Sequence, residues 1–230
     1  HPRVRRQRQM CIRDSGEASL AYAGMSTNNT LGYIKPNTMT GNPDLPFRDE
    51  DYFDDARKIG LYLINACAPG MRDNQWGDGA AYSSQYISTL TSINKEFDDP
   101  YIKYFVTEGK EGMIPPHTSY MYKNTKRTIM RSDWGEDAVY IFSDVDGGTG
   151  YHGHKDDNAI ILSAYGRNLL SDQLFYSYGT GPIKNYLTSA KAHNTITIDG
   201  ANQSTTKKGQ INHWETNGIY DNTVSYTHLT

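Results

Sequence analysis

Residues 158–172, with the sequence NAIILSAYGRNLLSD, predict a β-hairpin. The segments Asn158–Tyr165 and Asn168–Asp172 are short and rich in apolar, aromatic and β-branched residues, as strands are. The segment 165–168, YGRN, is typical of a tight turn, because glycine and asparagine tolerate backbone conformations that other residues avoid. The sequence therefore predicts two antiparallel strands, the second of which ends at Asp172.

Further segments of the same kind lie on both sides of this hairpin. They are rich in Val, Ile, Tyr and Thr, and Gly, Asn and Asp separate them, which is the pattern of short strands joined by turns. These predicted strands are Arg127–Arg131, Asp137–Ser143 and Asn194–Asp199.

The part of the chain before these strands has helical periodicity. Apolar residues recur at helical spacing after Asp49, and the acidic residues 49–51 suit the first turn of a helix. Pro69-Gly70 is expected to end this first helix. The other predicted helices cover Ala80 to about Phe97 and Tyr101–Thr107. Helices followed by strands indicate an α+β chain or two separate domains, and we favour two, with a boundary between residues 109 and 125.

Both ends of the chain carry sequence that we exclude from the predicted fold. Met10–Asp14 can be encoded by a short DNA string whose complementary strand encodes Val224–His228, as expected of a translated sequencing adapter. We therefore treat residues 1–14 and 224–230 as an artefact and expect them to add no ordered element to the core. The natural segment would then be a fragment of a longer protein that lacks both natural termini.

Excluding these ends changes what the composition implies. The arginines of the first 14 residues no longer indicate nucleic-acid binding, and the rest of the chain is more acidic than the formal net charge of −3. Cys67 becomes the remaining cysteine, so no disulfide framework is expected. No apolar run approaches the length that spans a membrane.

Histidines and an aspartate form the candidate chemical site. His152-Gly153-His154 follows a glycine-rich loop, Asp172 ends a predicted strand, and His193 precedes another. Two histidines and one aspartate from separate strands would suit zinc, with a fourth position open to water. The spacing leaves an alternative open, in which His152 and His154 are solvated loop residues and His193 is a hydrogen-bonded core residue.

A resemblance to a known family bears on these alternatives. Four ordered runs resemble the opening of the β-sandwich of heparinase II/III-like polysaccharide lyases, and the resemblance spans about residues 128–203. The runs are MRSDW at 130–134, HGHKD at 152–156, YGRNLLSD at 165–172 and AHNT at 192–195. The resemblance implies an α+β multidomain fold, with the end of an α/α toroid over residues 15–110 and the start of an antiparallel β-sandwich over 111–223.

The resemblance also implies roles for individual residues. A structural zinc ion would be held by His154, Asp172 and His193. His152 would lie towards the active cleft, and Tyr178, in the loop that covers the cleft, would be a catalytic residue or contact the substrate.

Three further residues are candidates for substrate binding. Arg131 and Arg167 could pair with a sugar carboxylate, and Trp76 could stack on a sugar ring. Structural hydrogen bonds for the arginines and packing for the tryptophan are the alternatives.

The activity that the resemblance implies is β-elimination on an anionic, uronic-acid-containing polysaccharide of the alginate or glycosaminoglycan type. A tyrosine would serve as the base, with an asparagine and a histidine from the toroid as neutralisers, and the sequence assigns none of these three. The family implies a periplasmic or secreted protein. Two other hypotheses remain, a non-catalytic carbohydrate-binding or structural protein of the same fold and a hydrolase in which zinc activates water.

Overall fold

The structure is a computed structural model, and it describes residues 23, 24, 27, 31, 50–72, 76–77, 84–145, 153–172, 180–204 and 209–227. Three helices come first in the continuous part of this description. They are α1 (Glu50–Ala66), α2 (Ser84–Phe97) and α3 (Pro100–Val106). A short 3-10 turn at Pro69–Met71 follows α1, so the predicted end of the first helix at Pro69-Gly70 is confirmed.

A buried aspartate holds α3 against α1. Asp99 caps the N-terminus of α3, where its carboxylate accepts hydrogen bonds from the backbone N–H groups of Tyr101 and Ile102. The same carboxylate accepts a hydrogen bond of 2.6 Å from Nε of Arg57 on α1. The positive charge of the guanidinium offsets the cost of burying the carboxylate. The contact therefore fixes the start of α3.

A five-stranded antiparallel sheet follows the helices, with its strands in sequence order. The predicted strand Arg127–Arg131 is confirmed residue for residue, and the strand before it was not predicted. The strands are β1 (Tyr120–Tyr122), β2 (Arg127–Arg131), β3 (Tyr140–Asp144), β4 (Ala159–Ala164) and β5 (Arg167–Leu170).

The predicted hairpin joins β4 to β5. Ala164 pairs with Arg167, which leaves Tyr165 and Gly166 as the loop. Both loop residues have positive φ angles, 55° and 68°. Two-residue loops of this kind match the right-handed twist of the flanking strands, and glycine adopts the second position at no steric cost.

A second hairpin lies after the sheet. It consists of β6 (Gln210–Thr216) and β7 (Asp221–Tyr226). Residues 224–226 therefore belong to an ordered strand, which the sequence analysis did not predict, but Val224 and Tyr226 are 49% and 39% exposed and the strand lies outside the buried core cluster. Main-chain hydrogen bonds hold such a strand, and valine and tyrosine favour it whatever the origin of the sequence. Residues 1–14 lie outside the described part of the chain.

The prediction of a strand at Asn194–Asp199 is wrong. The described chain has a short helix, α4 (Pro182–Leu187), then a 3-10 turn at Ala190–Ala192, and no regular element from residue 193 to residue 204. Side-chain contacts replace strand pairing in this segment, because Gln203 donates to the hydroxyl of Thr195 and to the carbonyl of Ile196.

The C-terminal end of α1 lies on the sheet. Arg131 of β2 donates from Nη2 to the carbonyl oxygens of Asn65 and Cys67, at 2.8 Å and 2.6 Å. The hydroxyl of Tyr140 donates to the carbonyl of Ala66. The last carbonyls of a helix have no partner within the helix, so these two side chains complete the end of α1 and attach it to the sheet.

Buried apolar residues of the helices and of the sheet form one cluster, which includes Leu63 of α1, Ile93 of α2 and Phe142 of β3. The division into a helical and a strand domain near residues 109–125 stays a prediction. In the described part of the chain, no helix has both the length and the apolar character needed to cross a membrane.

Candidate metal centre

Three separate segments bring the candidate ligands together. His154 lies in the irregular segment that leads into β4, Asp172 follows β5, and His193 follows the 3-10 turn at Ala190–Ala192. All three residues are buried. The antiparallel pairing of β4 with β5 explains part of this arrangement, because it returns the end of β5 to the level at which β4 begins.

His193 contacts both other residues. Its Nδ1 donates a hydrogen bond of 2.5 Å to Oδ1 of Asp172. Its ring lies 5.0 Å from the ring of His154, measured between centroids. The predicted convergence of these three side chains on one place is therefore found.

Asp156 is a further member of this cluster. One ligand atom each of His154, Asp156 and His193 lie within 4.8 Å of one another, as the donor atoms of a metal site do. Asp156 is 0% exposed. Neither of its carboxylate oxygens has a hydrogen-bond partner among the described residues, and the same is true of Nε2 of His193.

The electrostatics of the cluster follow from its burial. Burial, together with the negative charge of Asp144, raises the pKa of Asp156 to about 8, although His193 opposes this shift. Burial lowers the pKa of His193, but the hydrogen bond and the charge of Asp172 outweigh it, so that this pKa is raised. The raised pKa of Asp156 thus reflects chiefly its burial, and the raised pKa of His193 reflects the carboxylates beside it.

The neighbouring backbone is held by hydrogen bonds that fix the cluster. Nδ2 of Asn194 donates to the carbonyls of Ile160 and Ser171, so this side chain links β4 to the residue before Asp172. The backbone N–H of Lys155 donates to the carbonyl of Thr188. These bonds hold in place the chain segments that carry the candidate ligands.

These residues fit a zinc ion. Imidazole nitrogens and carboxylate oxygens are ligands that zinc prefers in proteins. A buried carboxylate without hydrogen bonds is costly unless a cation or a proton compensates it, and Asp156 meets this description.

Arg131 and Trp76 do not agree with their predicted roles in substrate binding. The guanidinium of Arg131 is buried and bonded to the end of α1, and it lies over the rings of Trp134 and Tyr140. Trp76 is 1% exposed and packs against Phe142. Both side chains are needed by the core, so neither is presented to a polysaccharide.

Arg167 remains available for such a role. It is exposed at the first position of β5, directly after the hairpin loop. His152 and Tyr178 lie outside the described residues, so their predicted catalytic roles stay predictions.

Asp156 is the site residue that the sequence analysis missed. It follows His154 by two positions. This short spacing from a candidate ligand could have identified Asp156 as a site residue. Its neighbour Asp157 points elsewhere and accepts a hydrogen bond from the hydroxyl of Thr227.

Comparison with known proteins identifies relatives of this chain. Residues 129–222 match the model of the family described as heparinase II/III-like, C-terminal. A heparin-sulfate lyase of Bacteroides stercoris is 26% identical over 170 residues, which are 70% of this chain and 26% of that protein. A heparin-sulfate lyase of Pedobacter heparinus is 26% identical over 184 residues, which are 77% of this chain and 28% of that protein. The chain thus spans about a quarter of the length of these relatives.

Solved structures share the fold. The crystal structure of a heparan sulfate lyase from Pedobacter heparinus superimposes with a TM-score of 0.83 at 22% identity, over 93% of this chain and 34% of that one. A heparinase III superimposes with a TM-score of 0.78 at 23% identity, over 91% and 33%. The predicted α+β fold of helices followed by antiparallel sheets is therefore confirmed.

Proposed function

Because residues 129–222 belong to the heparinase II/III-like C-terminal domain family, we propose that this chain is part of a lyase that cleaves a uronic-acid-containing glycosaminoglycan by β-elimination. The buried cluster of His154, Asp172 and His193 carries the proposal, because it occupies the positions that the resemblance predicts for the metal centre. Two relatives that are named heparin-sulfate lyases favour a heparan-type substrate over alginate.

The reaction is an elimination, in which water breaks no bond. A base takes the proton from C5 of the uronate, the C4–O bond breaks with its electron pair leaving on oxygen, and this oxygen takes up a proton. A C4–C5 double bond remains in the product. The C5 proton is weakly acidic, so nearby donors must neutralise the uronate carboxylate. A tyrosine acts as the base only where its surroundings favour the phenolate, and we assign none of the described residues to this task.

We propose a structural role for the metal. A zinc ion bound by the cluster would connect the segment 153–157 to the end of β5 and to His193, and would supply positive charge to buried carboxylates. His152 and Tyr178, for which the resemblance implies roles at the active cleft, adjoin these ligands in the sequence, so the ion would hold in place the described segments next to them. Arg167, which is exposed, would pair with a carboxylate of the substrate.

The chemistry of the substrate also bears on location. A glycosaminoglycan is a long anionic polymer that does not cross a membrane unaided, so we propose that the protein acts in the periplasm or outside the cell. An exposed cationic side chain such as Arg167, rather than a general basic surface, would recognise it, because the chain as a whole is acidic.

The test uses the full-length gene product with heparan sulfate, and with alginate as the comparison substrate. With heparan sulfate, the unsaturated uronate that elimination forms is expected to raise the ultraviolet absorbance of the reaction mixture. The products are expected to take up no oxygen from ¹⁸O-labelled water. Incorporation of ¹⁸O into the products without a rise in absorbance would show that the protein is a hydrolase and not a lyase. Binding of heparan sulfate without cleavage would replace it by a non-catalytic carbohydrate-binding protein.

A further inference from the structure

The stretch of sequence between Asp172 and Asp199 contains no acidic residue, although the chain has 26 acidic residues among 230. The same stretch contains two lysines, Lys184 and Lys191. In a chain whose formal net charge is −3, such a stretch forms a local region of positive charge. It would therefore attract an anion that most of the surface repels.

Hydrogen bonds bring a third lysine to these two. The backbone N–H of Thr188 donates to the carbonyl of Lys184, and the carbonyl of Thr188 accepts from the backbone N–H of Lys155, each at 3.0 Å. Lys191 follows in the 3-10 turn at Ala190–Ala192. Among the ion pairs of the described residues, none involves Lys155 or Lys191. The positive charges of these two lysines are therefore not neutralised by a described carboxylate.

The helix α4 adds an exposed apolar surface to these charges. None of its six residues is buried, and the exposed fractions are 56% for Ile183 and 52% for Tyr186. A tyrosine ring can pack against the apolar face of a sugar while its hydroxyl stays in water. We call Lys155, Lys184, Tyr186 and Lys191 together the α4 surface.

We infer that the α4 surface binds anionic groups of a glycosaminoglycan chain, as a contact separate from Arg167. The inference rests on the proposed function. The surface adjoins the candidate metal centre, because Lys155 directly follows His154 and Lys191 precedes His193 by two positions. Arg167 lies at the other end of the β4–β5 hairpin, beside its loop, and the six residues of β4 span about 20 Å. A polysaccharide that reaches both contacts would be held along the hairpin.

The chemistry of lysine defines the class of ligand. An ammonium group is a compact charge on a flexible stem, so it pairs with sulfate and carboxylate without a fixed geometry. A heparan-type chain carries both groups on successive sugars. Several such exposed contacts, each weak alone, would together bind the long polyanion beside the proposed cleft.

The experiment measures KM and the dissociation constant for heparan sulfate in the full-length gene product, at low and at high salt concentration. The variants are Lys184→Gln, Lys191→Gln and Tyr186→Ala. The control is Lys123→Gln, because Lys123 is exposed directly after β1, at the opposite edge of the sheet from β5. The four replaced side chains are not buried, so each variant is expected to keep its melting temperature.

At low salt, we expect each of the two lysine variants to raise KM and the dissociation constant about two- to fivefold. This difference is expected to shrink at high salt, because ions screen exposed charges. Tyr186→Ala is expected to weaken binding at both salt concentrations, because its contact does not depend on charge. Chemically desulfated heparan sulfate identifies the anionic group. A lysine effect that disappears with this polymer assigns sulfate as the partner, and one that persists assigns the uronate carboxylate.

Unchanged binding and KM in both lysine variants, in a protein that cleaves heparan sulfate, would overturn this inference and leave the proposed function standing. Binding of heparan sulfate without cleavage would count against the lyase, and the dissociation constants of the same variants would still decide on the α4 surface. A loss of affinity in Lys123→Gln equal to that in Lys191→Gln would also overturn the inference, because attraction would then be a property of the whole surface.

Discussion

Oδ1 of Asp172 accepts a hydrogen bond of 2.5 Å from Nδ1 of His193, and both side chains are almost completely inaccessible to solvent. Asp172 reaches this position from the end of β5, and His193 reaches it from the 3-10 turn at Ala190–Ala192. A charge-assisted hydrogen bond in a buried place is strong and directional. It therefore fixes one ligand of the candidate metal centre before any ion binds.

The first prediction concerns removal of the metal. We expect chelation of zinc to lower the melting temperature, because an ion that binds only the folded state stabilises it by about 2.7 kcal/mol at a concentration 100 times its dissociation constant. His193→Ala is expected to lose the zinc and to show no further effect of chelator. The measurement is thermal unfolding paired with metal analysis.

His213→Ala serves as the control for that prediction. His213 lies on β6 with half of its side chain exposed, 3.6 Å from a carboxylate oxygen of Glu215. This variant is expected to keep both the zinc content and the response to chelator. A zinc response that survives in His193→Ala would contradict the assignment of His193 as a ligand.

The second prediction concerns Arg131. Replacing it by Met keeps an unbranched side chain but leaves the carbonyls of Asn65 and Cys67 without their donor. Buried carbonyls that lose a partner cost about 1–3 kcal/mol each, so we expect the free energy of unfolding to fall by about 3 kcal/mol in urea denaturation. Arg167→Ala, at an exposed position, is expected to change it by less than about 0.5 kcal/mol. Equal effects of the two changes would contradict the structural role of Arg131.

Arg131 also shows what the sequence could and could not predict. The strand Arg127–Arg131 was predicted with its boundaries, because a short run that contains Thr and Ile and is flanked by turn residues is a local pattern. Whether an arginine at its end points to a substrate or to a helix depends on which element covers the sheet. That packing is a long-range property, and no spacing along the chain records it.

The third prediction concerns the cap of α3. Asp99→Ala removes the acceptor for two backbone N–H groups and the partner of Arg57. Loss of an N-cap costs about 1 kcal/mol, and an ion pair whose carboxylate is buried adds to this, so we expect a loss of about 2–3 kcal/mol in stability. Asp98→Asn is the control, because Asp98 is exposed and pairs with Lys103 at the surface. If Asp98→Asn lowers the stability as much as Asp99→Ala does, loss of the cap is not the cause of the effect.

The fourth prediction concerns Arg167 and the proposed substrate. In the full-length gene product, Arg167→Ala is expected to raise KM for heparan sulfate while leaving the melting temperature unchanged, because the side chain is exposed. Lys110→Ala is the control. It removes another exposed cation, on the segment that follows α3, and is expected to leave KM unchanged. An unchanged KM in Arg167→Ala would remove this residue from substrate binding.

The site itself was predictable in part. The spacing of histidines and the strand that precedes Asp172 indicated a metal centre, and the structure brings these residues together. Asp156 was not predicted because acidic residues are common on surfaces. Its complete burial appears only in the fold, where the segment 188–195 lies against the start of β4. The predicted strand at 194–199 failed for a related reason, since side-chain hydrogen bonds rather than strand pairing hold that segment.

The most direct test of the metal centre is anomalous diffraction at the zinc absorption edge from crystals grown with zinc. We expect a single strong peak among the side chains of His154, Asp172 and His193, with ligand atoms at about 2.0–2.2 Å from the ion. A crystal that shows no peak among these side chains, or a peak bound by other residues, would contradict the metal centre on which the proposed function depends.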